Sequence, residues 1–530
     1  MSEQADQTAR PINLADILEA MGDAVPDRVA VVTIDRDYTY AEIDERSTRL
    51  ANHLVSLGVK PGEHVAIHSP NRIEWVDAFY GCLKARAVPI NINYKYLHDE
   101  LSYLYNNADC VAAIVAPEYL EAVQALEVPT LRHVIAFGPA YDEALAAAST
   151  QRLAGRSPDD HYVLYTGGTT GSPKGVIWRQ EDLISAALNA ARMGAPFDSV
   201  DQLTREAAAN ESPMRMLACG PLMHGGSQWI LGNGHVAGAT VALYTEPHFD
   251  AETILDLVQH AGVHSLTFLG DAMGRPVAEA ILAEPDRWDL SSLVAVSNGA
   301  APLSEGVRNT IREALPGRFI LDTYGASESG ATASRVDDGS DGPLGAPKFS
   351  PAPDVEVFDP EMRPCEVGVT GLLGRTGSIP LGYYKDPVKT AATFREVGGV
   401  RWSLPGDFAR REEDGSVTVL GRGSVCINTG GEKVHPEEVE AVLLRHEGVF
   451  DAVVVGTPHE RWGQQVTALV QRREGASVTE DDLNAHVHSL IANYKVPKVF
   501  IFVDQVPRTA VSKIDYRAST ALALDSLGLS

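Results

Sequence analysis

Apolar positions recur with two different periods along the first part of the chain. Those between residues 43 and 57 are spaced as on one face of a helix, and Thr39 with Glu42 forms a T-x-x-E capping box before them. Two short apolar runs, at 64–67 and 110–115, predict buried strands. Helices that alternate with buried strands indicate an α/β fold in which helices cover the sheets.

Polar stretches and a boundary interrupt this pattern. Segments 198–213 and 335–353 predict long surface loops, the first being either a solvated insertion or a cover over a pocket. A stronger boundary lies near 421–424. We therefore predict an N-terminal body of several subdomains, residues 1–422, and a small α+β C-terminal domain, residues 423–530.

Composition indicates a globular protein of more than one domain. The chain has 530 residues, 44% of them hydrophobic and 22% charged, which excludes wholesale disorder. The 44 Lys and Arg against 71 Asp and Glu leave a net charge of −27, which argues against nucleic acid or anionic lipid as a partner. An anionic small ligand therefore requires a pocket whose local positive charge outweighs the negative charge of the protein.

Cysteine usage and hydropathy bear on the compartment. The five Cys are scattered without a C-x-x-C pair, which fits a reducing cytosol and argues against structural zinc. The N-terminus lacks a signal-peptide pattern, and no apolar run reaches the roughly 18 to 20 residues that a transmembrane helix needs. We expect a cytoplasmic protein without a transmembrane segment.

The segment 161–178, HYVLYTGGTTGSPKGVIW, is the most informative in the chain. Glycines, hydroxyl side chains and Lys174 lie between two strand-like runs, a set of donors suited to polyphosphate. A Walker A loop requires G-K-[ST] leading into a helix, whereas Gly175 follows the lysine here and the next residues predict a strand. A glycine-rich turn without a ligand stays an alternative for this segment alone.

The sequence YTGGTTGSPKG resembles the signature loop of the adenylate-forming (ANL) superfamily, which contains acyl-CoA synthetases, amino-acid adenylation domains and luciferases. The resemblance covers about residues 28–517 and implies an acetyl-CoA synthetase-like α/β body with a mobile C-terminal domain. It implies that ATP phosphates are held by Thr166, Gly167, Gly168, Thr169, Thr170, Gly171, Ser172 and Lys174, with Thr166 counted among the catalytic residues.

Other motifs extend the resemblance to the nucleotide and the metal. In YGASE, the resemblance implies that Tyr324 packs against adenine beside Gly325, that Ser327 contacts the α-phosphate and that Glu328 is a catalytic Mg²⁺ ligand. The turn containing Gly299, Ala300 and Ala301 resembles the adenine-binding turn. Asp407 matches the aspartate that accepts hydrogen bonds from both ribose hydroxyls, and Arg422 matches the arginine that contacts the ribose.

Three further positions belong to the C-terminal domain. Ser424 occupies the hinge position, where the family usually has Asp or Lys, and a hinge tolerates serine. Lys513 resembles the catalytic lysine between the substrate carboxylate and the α-phosphate, with Ser512 in place of the usual glycine. The loop containing Gly430, Gly431 and Lys433 resembles the one that lines the CoA tunnel.

The acid should lie near residues 221–229, with His224 as the gate and Trp229 in the pocket. No acidic residue occurs from 214 to 230 to pair with a substrate ammonium, which argues against an amino acid and for an apolar acid. His224-Gly225-Gly226 also resembles an esterase oxyanion strand, but the chain lacks a G-x-S-x-G nucleophile elbow. A packed histidine without a substrate role stays an alternative for His224.

These observations predict an AMP-forming acyl-CoA ligase that uses ATP, Mg²⁺ and coenzyme A. The substrate is a hydrophobic carboxylic acid, and the resemblance extends to bacterial ligases for fatty acids and steroid side chains. Two alternatives stay open: a binding homologue that has lost its chemistry, suggested by Ser327, Ser424 and Ser512, and an enzyme that loads a carrier protein. The oligomeric state is open, with a homodimer as one alternative.

Overall fold

The computed structural model describes residues 12–168, 171–192, 194–299, 301, 303–337, 348–422, 425–429, 432–459, 463–491, 493–509 and 514–529. Up to Ala147, helices and strands alternate as α1 (Leu14–Ala24), β1 (Val29–Val32), β2 (Asp37–Thr39), α2 (Tyr40–Ser56), β3 (His64–His68), α3 (Ile73–Lys84), β4 (Val88–Asn91), α4 (His98–Asn107), β5 (Cys110–Val115), α5 (Leu120–Gln124), β6 (His133–Ala136) and α6 (Pro139–Ala147).

The middle of the chain continues this alternation. Its elements are β7 (His161–Gly168), β8 (Gly171–Arg179), α7 (Gln180–Ala187), α8 (Val200–Ala209), β9 (Arg215–Ala218), α9 (Gly225–Val236), β10 (Thr240–Leu243), α10 (Ala251–Ala261), β11 (Ser265–Phe268), α11 (Asp271–Ala283), β12 (Ala295–Asn298), α12 (Glu305–Ala314) and β13 (Phe319–Ala326).

Strands dominate the next part, and the last part is mixed. The former contains β14 (Gly330–Asp337), β15 (Lys348–Pro351), β16 (Val355–Phe358), β17 (Thr370–Arg375), β18 (Gly382–Tyr383), α13 (Pro387–Thr393), β19 (Phe394–Val397), β20 (Val400–Ser403), β21 (Asp407–Arg411) and β22 (Val417–Arg422). The latter contains β23 (Ile427–Thr429), β24 (Glu432–Val434), α14 (Pro436–Leu443), β25 (Val449–His459), β26 (Gly463–Arg472), α15 (Glu480–His488), β27 (Val499–Val503) and α16 (Tyr516–Ser526).

The described strands form three sheets. One has the order β18-β8-β7-β4-β3-β5-β6, parallel from β7 to β6 and antiparallel at β8 and β18. In another, the parallel run β1-β10-β9-β11-β12-β13 continues through antiparallel β14 and β15 to β22-β21-β17-β20-β19. The third, β24-β23-β26-β25 with β27 on β26, has its own buried apolar core. The predicted α/β fold class with an α+β C-terminal part is confirmed.

The local signals at the start of the chain are confirmed as well. Thr39 Oγ1 accepts a hydrogen bond from the backbone N–H of Glu42 at 3.2 Å, and Glu42 Oε2 accepts one from the N–H of Thr39 at 2.8 Å. The apolar runs that were predicted as strands are β3 and β5, both buried along their whole lengths. Among the described residues, no helix is long and apolar enough to cross a membrane.

Both predictions of long loops are wrong in part. Segment 198–213 contains α8, which begins after the N-cap Ser199 and buries Val200, Leu203 and Ala207 against α1. In segment 335–353, the ends belong to β14 and β15. The cluster of Gly, Asp, Ser and Pro in this segment predicted a loop, but its first residues continue β14. There, Asp337 is buried and paired with Arg312, so its charge is neutralised within the strand.

Candidate active site

The glycine-rich segment connects two antiparallel strands. Thr166 pairs with Lys174 and Gly168 with Gly171 across β7 and β8. A side chain at Gly175 would place its Cβ only 2.7 Å from the ring of Tyr165, so only glycine fits there. Because a strand follows the lysine, the alternative of a Walker A loop is excluded. Thr169 and Thr170 lie outside the described residues, and the side chain of Ser172 is not described.

Lys174 points from β8 to the N-terminus of α13. Its Nζ lies 2.8 Å from Oδ2 of Asp386, the residue that caps α13, and 5.6 Å from the centre of the Tyr383 ring. The hydrogen bond from Lys174 lowers the pKa of the Asp386 carboxyl, as do the backbone donor and charge of Lys389. Both side chains of the pair are about one-third exposed, so water screens the pair and a phosphate can replace the carboxylate.

Glu328 lies in the turn between β13 and β14, where three side chains hold the backbone and the carboxylate. Tyr383 donates a hydrogen bond from its hydroxyl to Glu328 Oε1 at 2.8 Å, and Ser403 donates one to the Glu328 carbonyl oxygen. Trp178 Nε1 donates to the carbonyl of Ser327 at 3.0 Å. Tyr383 therefore contacts both Lys174 and Glu328, which brings the glycine-rich segment and the predicted metal ligand to one place.

Sequence reasoning missed Tyr383, Ser403 and Asp386. Tyr383 and Ser403 lie 55 and 75 residues beyond Glu328 along the chain, and the short strand β18 reaches the site by pairing with β8. An aspartate before a proline is a helix N-cap signal, which could have pointed to Asp386 but not to its contact with Lys174.

The predicted adenine turn follows β12. Asn298 is buried, donates to the carbonyl of Ala301 at 3.1 Å and to Asp322 Oδ1 at 3.2 Å, and accepts from the N–H of Gly270 at 2.8 Å. Ala300 lies outside the described residues, whereas Gly299 and Ala301 are described. Asn298 thus connects the turn to the loop before α11 and to strand β13.

Tyr324 lies on the neighbouring strand. This strand, β13, continues past Tyr324 to Ala326 by pairing with β14. Its parallel partner β12 ends opposite Asp322, so Tyr324 still projects beyond the carboxyl edge of the parallel strands. Its ring packs against Phe349 with 5.9 Å between ring centres. At Gly325 a Cβ would lie 2.1 Å from the carbonyl oxygen of Gly330, which requires glycine.

The two predicted ribose residues are cross-strand partners. Asp407 on β21 lies directly opposite Arg422 on β22, and Asp407 is buried. The side chain of Arg422 is not described. Next to it, Gly421 has a φ of +87° and a Cβ there would overlap the carboxylate of Glu437 on α14, so the end of β22 is in close contact with the C-terminal part.

The predicted acid-binding segment forms the start of α9. His224 is its N-cap, and a Cβ on Gly225 would lie 2.4 Å from Cδ2 of Leu164 on β7. At Gly226 an added Cβ would meet only Leu269 Cδ2, at 3.6 Å, which is an ordinary van der Waals contact, so a small side chain fits there. Gln228 accepts a hydrogen bond from the hydroxyl of Tyr162 at 2.7 Å, and Trp229 is half-buried beside them.

The C-terminal part approaches the body near α11. Residues 505–509 and Ala272 line a cavity of about 440 Å³. Arg508 is paired with Asp451 at 2.6 Å, and the N–H of Asp515 donates to the carbonyl of Pro507 at 3.1 Å. The described part of the chain does not include Ser424, Gly430, Gly431, Ser512 and Lys513, or the side chain of Lys433. The described flanks place the chain on both sides of Lys513 in the C-terminal part.

Comparison with known protein families matches two parts of the chain. Residues 18–384 match the model of the AMP-binding enzyme family, and residues 438–513 match that of the AMP-binding enzyme C-terminal domain. The chain belongs to the AMP-binding enzyme family. The resemblance to adenylate-forming enzymes is therefore confirmed, whereas the roles of the individual site residues stay predictions.

Similar proteins cover nearly the whole of this AMP-binding enzyme. A 3-oxocholest-4-en-26-oate–CoA ligase of Rhodococcus rhodochrous is 41% identical, over 96% of this chain and 95% of that protein. A medium/long-chain-fatty-acid–CoA/3-oxocholest-4-en-26-oate–CoA ligase of Mycolicibacterium smegmatis is also 41% identical, over the same shares. The crystal structure of ATP-bound MatB from Rhodopseudomonas palustris has a TM-score of 0.82 at 26% identity, over 98% of this chain and 100% of that one.

Proposed function

We propose that this AMP-binding enzyme is an AMP-forming acyl-CoA ligase for a hydrophobic carboxylic acid. The single observation that carries the proposal is the position of Tyr383, which contacts Lys174 of the phosphate loop and Glu328 at once. Tyr383 contacts a cation with its ring and a carboxylate with its hydroxyl, an arrangement that suits a nucleoside triphosphate and its metal ion. The full-length similarity to CoA ligases supports CoA as the acceptor of the acyl group.

In the first half-reaction, a carboxylate oxygen of the acid attacks the α-phosphorus of ATP and pyrophosphate leaves. Lys174 exchanges Asp386 for phosphate oxygens and neutralises part of their charge. Asn298 holds the adenine turn, Tyr324 lies beside it, and Asp407 accepts hydrogen bonds from the ribose hydroxyls. Lys513 contacts both the acid carboxylate and the α-phosphate, which lowers the repulsion between two anions.

Mg²⁺ fits the site as a companion of ATP rather than as a resident ion. Among the residues described, no three His, Cys, Asp or Glu side chains are grouped so that they could hold a metal by themselves. Mg²⁺ is commonly bound through one or two carboxylates and the substrate phosphates, and Glu328 supplies one carboxylate whose orientation Tyr383 fixes. When bound, the ion would neutralise charge on the phosphate oxygens.

In the second half-reaction, the sulfur of CoA attacks the acyl carbon, the thiol proton passes to solvent and AMP leaves. We assign the loop containing Gly430, Gly431 and Lys433 to the pantetheine path. The domain division after Arg422, with Ser424 as the hinge, is part of the same proposal, because separate half-reactions require different faces of the C-terminal domain. Arg422 contacts the ribose from the end of β22, next to the hinge.

The acid is a medium- or long-chain fatty acid or a bulky cyclic acid of the steroid side-chain type. Two observations support this class: segment 214–230 has no acidic residue, and the relatives named above act on such acids. We propose that the enzyme acts in the cytoplasm, where ATP and CoA are supplied. None of its five cysteines forms a disulfide in the described part of the chain, which suits a reducing compartment.

The role of Lys513 separates the two half-reactions. Lys513→Ala should abolish acid-dependent pyrophosphate release and leave thioester formation from supplied acyl-AMP and CoA largely intact. Equal loss of both would contradict the assignment. Lys498→Ala, on the same domain, is the matched control and should affect neither.

A substrate panel tests the function itself. Pyrophosphate release from ATP should depend on medium-chain, long-chain or steroid side-chain acids, and acyl-CoA should appear when CoA is added. Activity with a carrier protein but not with CoA would favour the carrier-loading alternative. No pyrophosphate release with any acid would favour a binding homologue.

A further inference from the structure

Helix α11 connects the adenine turn of the body to the C-terminal part. At its start, Gly270 donates its N–H to Asn298, and Asp271 Oδ1 accepts a hydrogen bond from the N–H of Ser304 at 2.7 Å. Both partners flank the turn that contains Gly299 and Ala301. The N-terminal turn of α11 is therefore fixed to the predicted nucleotide site.

One helical turn later, Arg275 contacts the C-terminal part. It lies 3.7 Å from Asp271, its Nη2 donates to the carbonyl oxygen of Phe450 at 3.1 Å, and its guanidinium stacks on the Phe450 ring at 4.5 Å. Arg275 is 5% exposed, and Phe450 of the C-terminal part packs against its guanidinium.

From Phe450 the contacts continue to the loop that carries Lys513. Phe450 precedes Asp451, and Asp451 pairs with Arg508. The segment 505–509 in turn faces Ala272 on α11. A continuous set of contacts thus runs from the adenine turn through α11, Phe450 and Asp451 to the residues before Lys513.

The contact is suited to being made and broken. Nη1 of Arg275 is buried without a hydrogen-bond partner among the described residues, and its single acceptor in the C-terminal part is an uncharged carbonyl. Desolvation of the guanidinium opposes what the hydrogen bond and the stacking contribute. Burial raises the pKa of Asp271, and the carboxylate of Asp451, which belongs to the C-terminal part, raises it a little further. When the C-terminal domain moves away, water solvates the guanidinium again.

We propose that Arg275 is a positioning residue that holds the C-terminal domain, through Phe450, in the arrangement that forms the acyl-adenylate. Since thioester formation uses another arrangement, Arg275 acts in the first half-reaction only. The inference rests on the proposed function, because it assigns Arg275 to the formation of the acyl-adenylate.

Variants on both sides of the contact test it. Arg275→Leu should slow acid-dependent pyrophosphate release about tenfold and change thioester formation from supplied acyl-AMP by less than about twofold. The rate of pyrophosphate release by Arg275→Lys should lie between the rates of the wild type and of Arg275→Leu. Phe450→Leu should slow the same step, and in the double variant its effect should not add fully to that of Arg275→Leu. Arg287→Leu removes an arginine beyond the end of α11 and should affect neither half-reaction.

Hydrogen exchange supplies a readout that does not depend on catalysis. Amides of residues 271–283 should exchange faster in Arg275→Leu than in the wild type, while those of β3 and β5 should not change. Equal loss of both half-reactions, or unchanged pyrophosphate release, would overturn the proposal. Failure of the proposed function itself would be seen differently, as a wild-type enzyme that releases no pyrophosphate with any acid.

Discussion

The hydroxyl of Tyr383 donates a hydrogen bond to Oε1 of Glu328 at 2.8 Å, and the same ring lies 5.6 Å from the ammonium of Lys174. One side chain thus orients the carboxylate that is proposed to bind Mg²⁺ and also contacts the lysine that is proposed to bind phosphate. Ser403 holds the backbone of Glu328 from the other side. The turn between β13 and β14 is therefore preorganised before ATP binds.

Tyr383→Phe should weaken the use of Mg²⁺. Without its donor the Glu328 carboxylate becomes free to rotate, so the Mg²⁺ concentration for half-maximal pyrophosphate release should rise about tenfold. Tyr384→Phe is the matched control, because that hydroxyl donates instead to Asp109 at 2.8 Å. Identical Mg²⁺ dependence of the two variants would show that Tyr383 does not act through Glu328.

The site illustrates what the sequence could predict. The glycine-rich segment was recognisable because all of its donors are neighbours in the chain, and its two strands followed from the flanking apolar runs. Tyr383 and Ser403 could not be found in this way, because their positions depend on β18 pairing with β8 and on β20 pairing with β17. The same limit applies to Arg275, whose burial comes from residues about 175 positions further along.

The fold was predictable to a similar depth. Strands such as β5 form uninterrupted apolar runs and were correctly predicted. Helix α8 was missed because only Val200, Leu203 and Ala207 are buried in it, and the polar residues between them concealed the helical spacing. The end of strand β14 was missed because it carries two charged residues, Arg335 and the buried Asp337, which neutralise each other within an ion-pair network.

Asp407→Asn should reduce the discrimination between ATP and 2′-deoxyATP. Asp407 is buried opposite Arg422, and a carboxylate can accept hydrogen bonds from both ribose hydroxyls. We expect the wild type to prefer ATP over 2′-deoxyATP by at least about tenfold in kcat/KM, and the variant to lose most of that preference. The measurement is pyrophosphate release with each nucleotide.

A variant in the same hairpin controls for indirect effects on Asp407. Glu412 accepts a hydrogen bond from Arg410 at 3.1 Å near the turn between β21 and β22. Glu412→Gln should keep the wild-type preference for ATP. If Asp407→Asn lowers the rates with both nucleotides by the same factor, the aspartate does not recognise the 2′-hydroxyl.

The buried His235 should make stability depend on pH below neutrality. Its Nδ1 lies 2.7 Å from the hydroxyl of Tyr80, and burial lowers its pKa to about 4. Between pH 6.5 and 4 the unfolded chain binds a proton that the folded protein does not, so stability falls as the pH is lowered through this range and is independent of this group above it.

Denaturant unfolding between pH 7 and pH 5 measures this effect. His235 should account for a loss of about 2 kcal/mol in the free energy of unfolding over that interval. His235→Gln should flatten the pH dependence by that amount, since the amide does not titrate. His260→Gln, at an exposed position at the end of α10, should leave the slope unchanged, and a parallel decrease in wild type and His235→Gln would assign the pH dependence to other groups.

Gly226→Leu should restrict the enzyme to short acids. The position is in the first turn of α9, where leucine is a better helix former than glycine, and an added Cβ meets only Leu269 at 3.6 Å, so the fold should tolerate the change. The rest of the leucine side chain would occupy the space proposed for the acid. We expect kcat/KM for long-chain and steroid side-chain acids to fall at least about tenfold, and that for a short acid to change by less than about threefold. Because the short acid is activated at the same ATP site, it is an internal control, and an equal decrease for all acids would place position 226 outside the acid pocket.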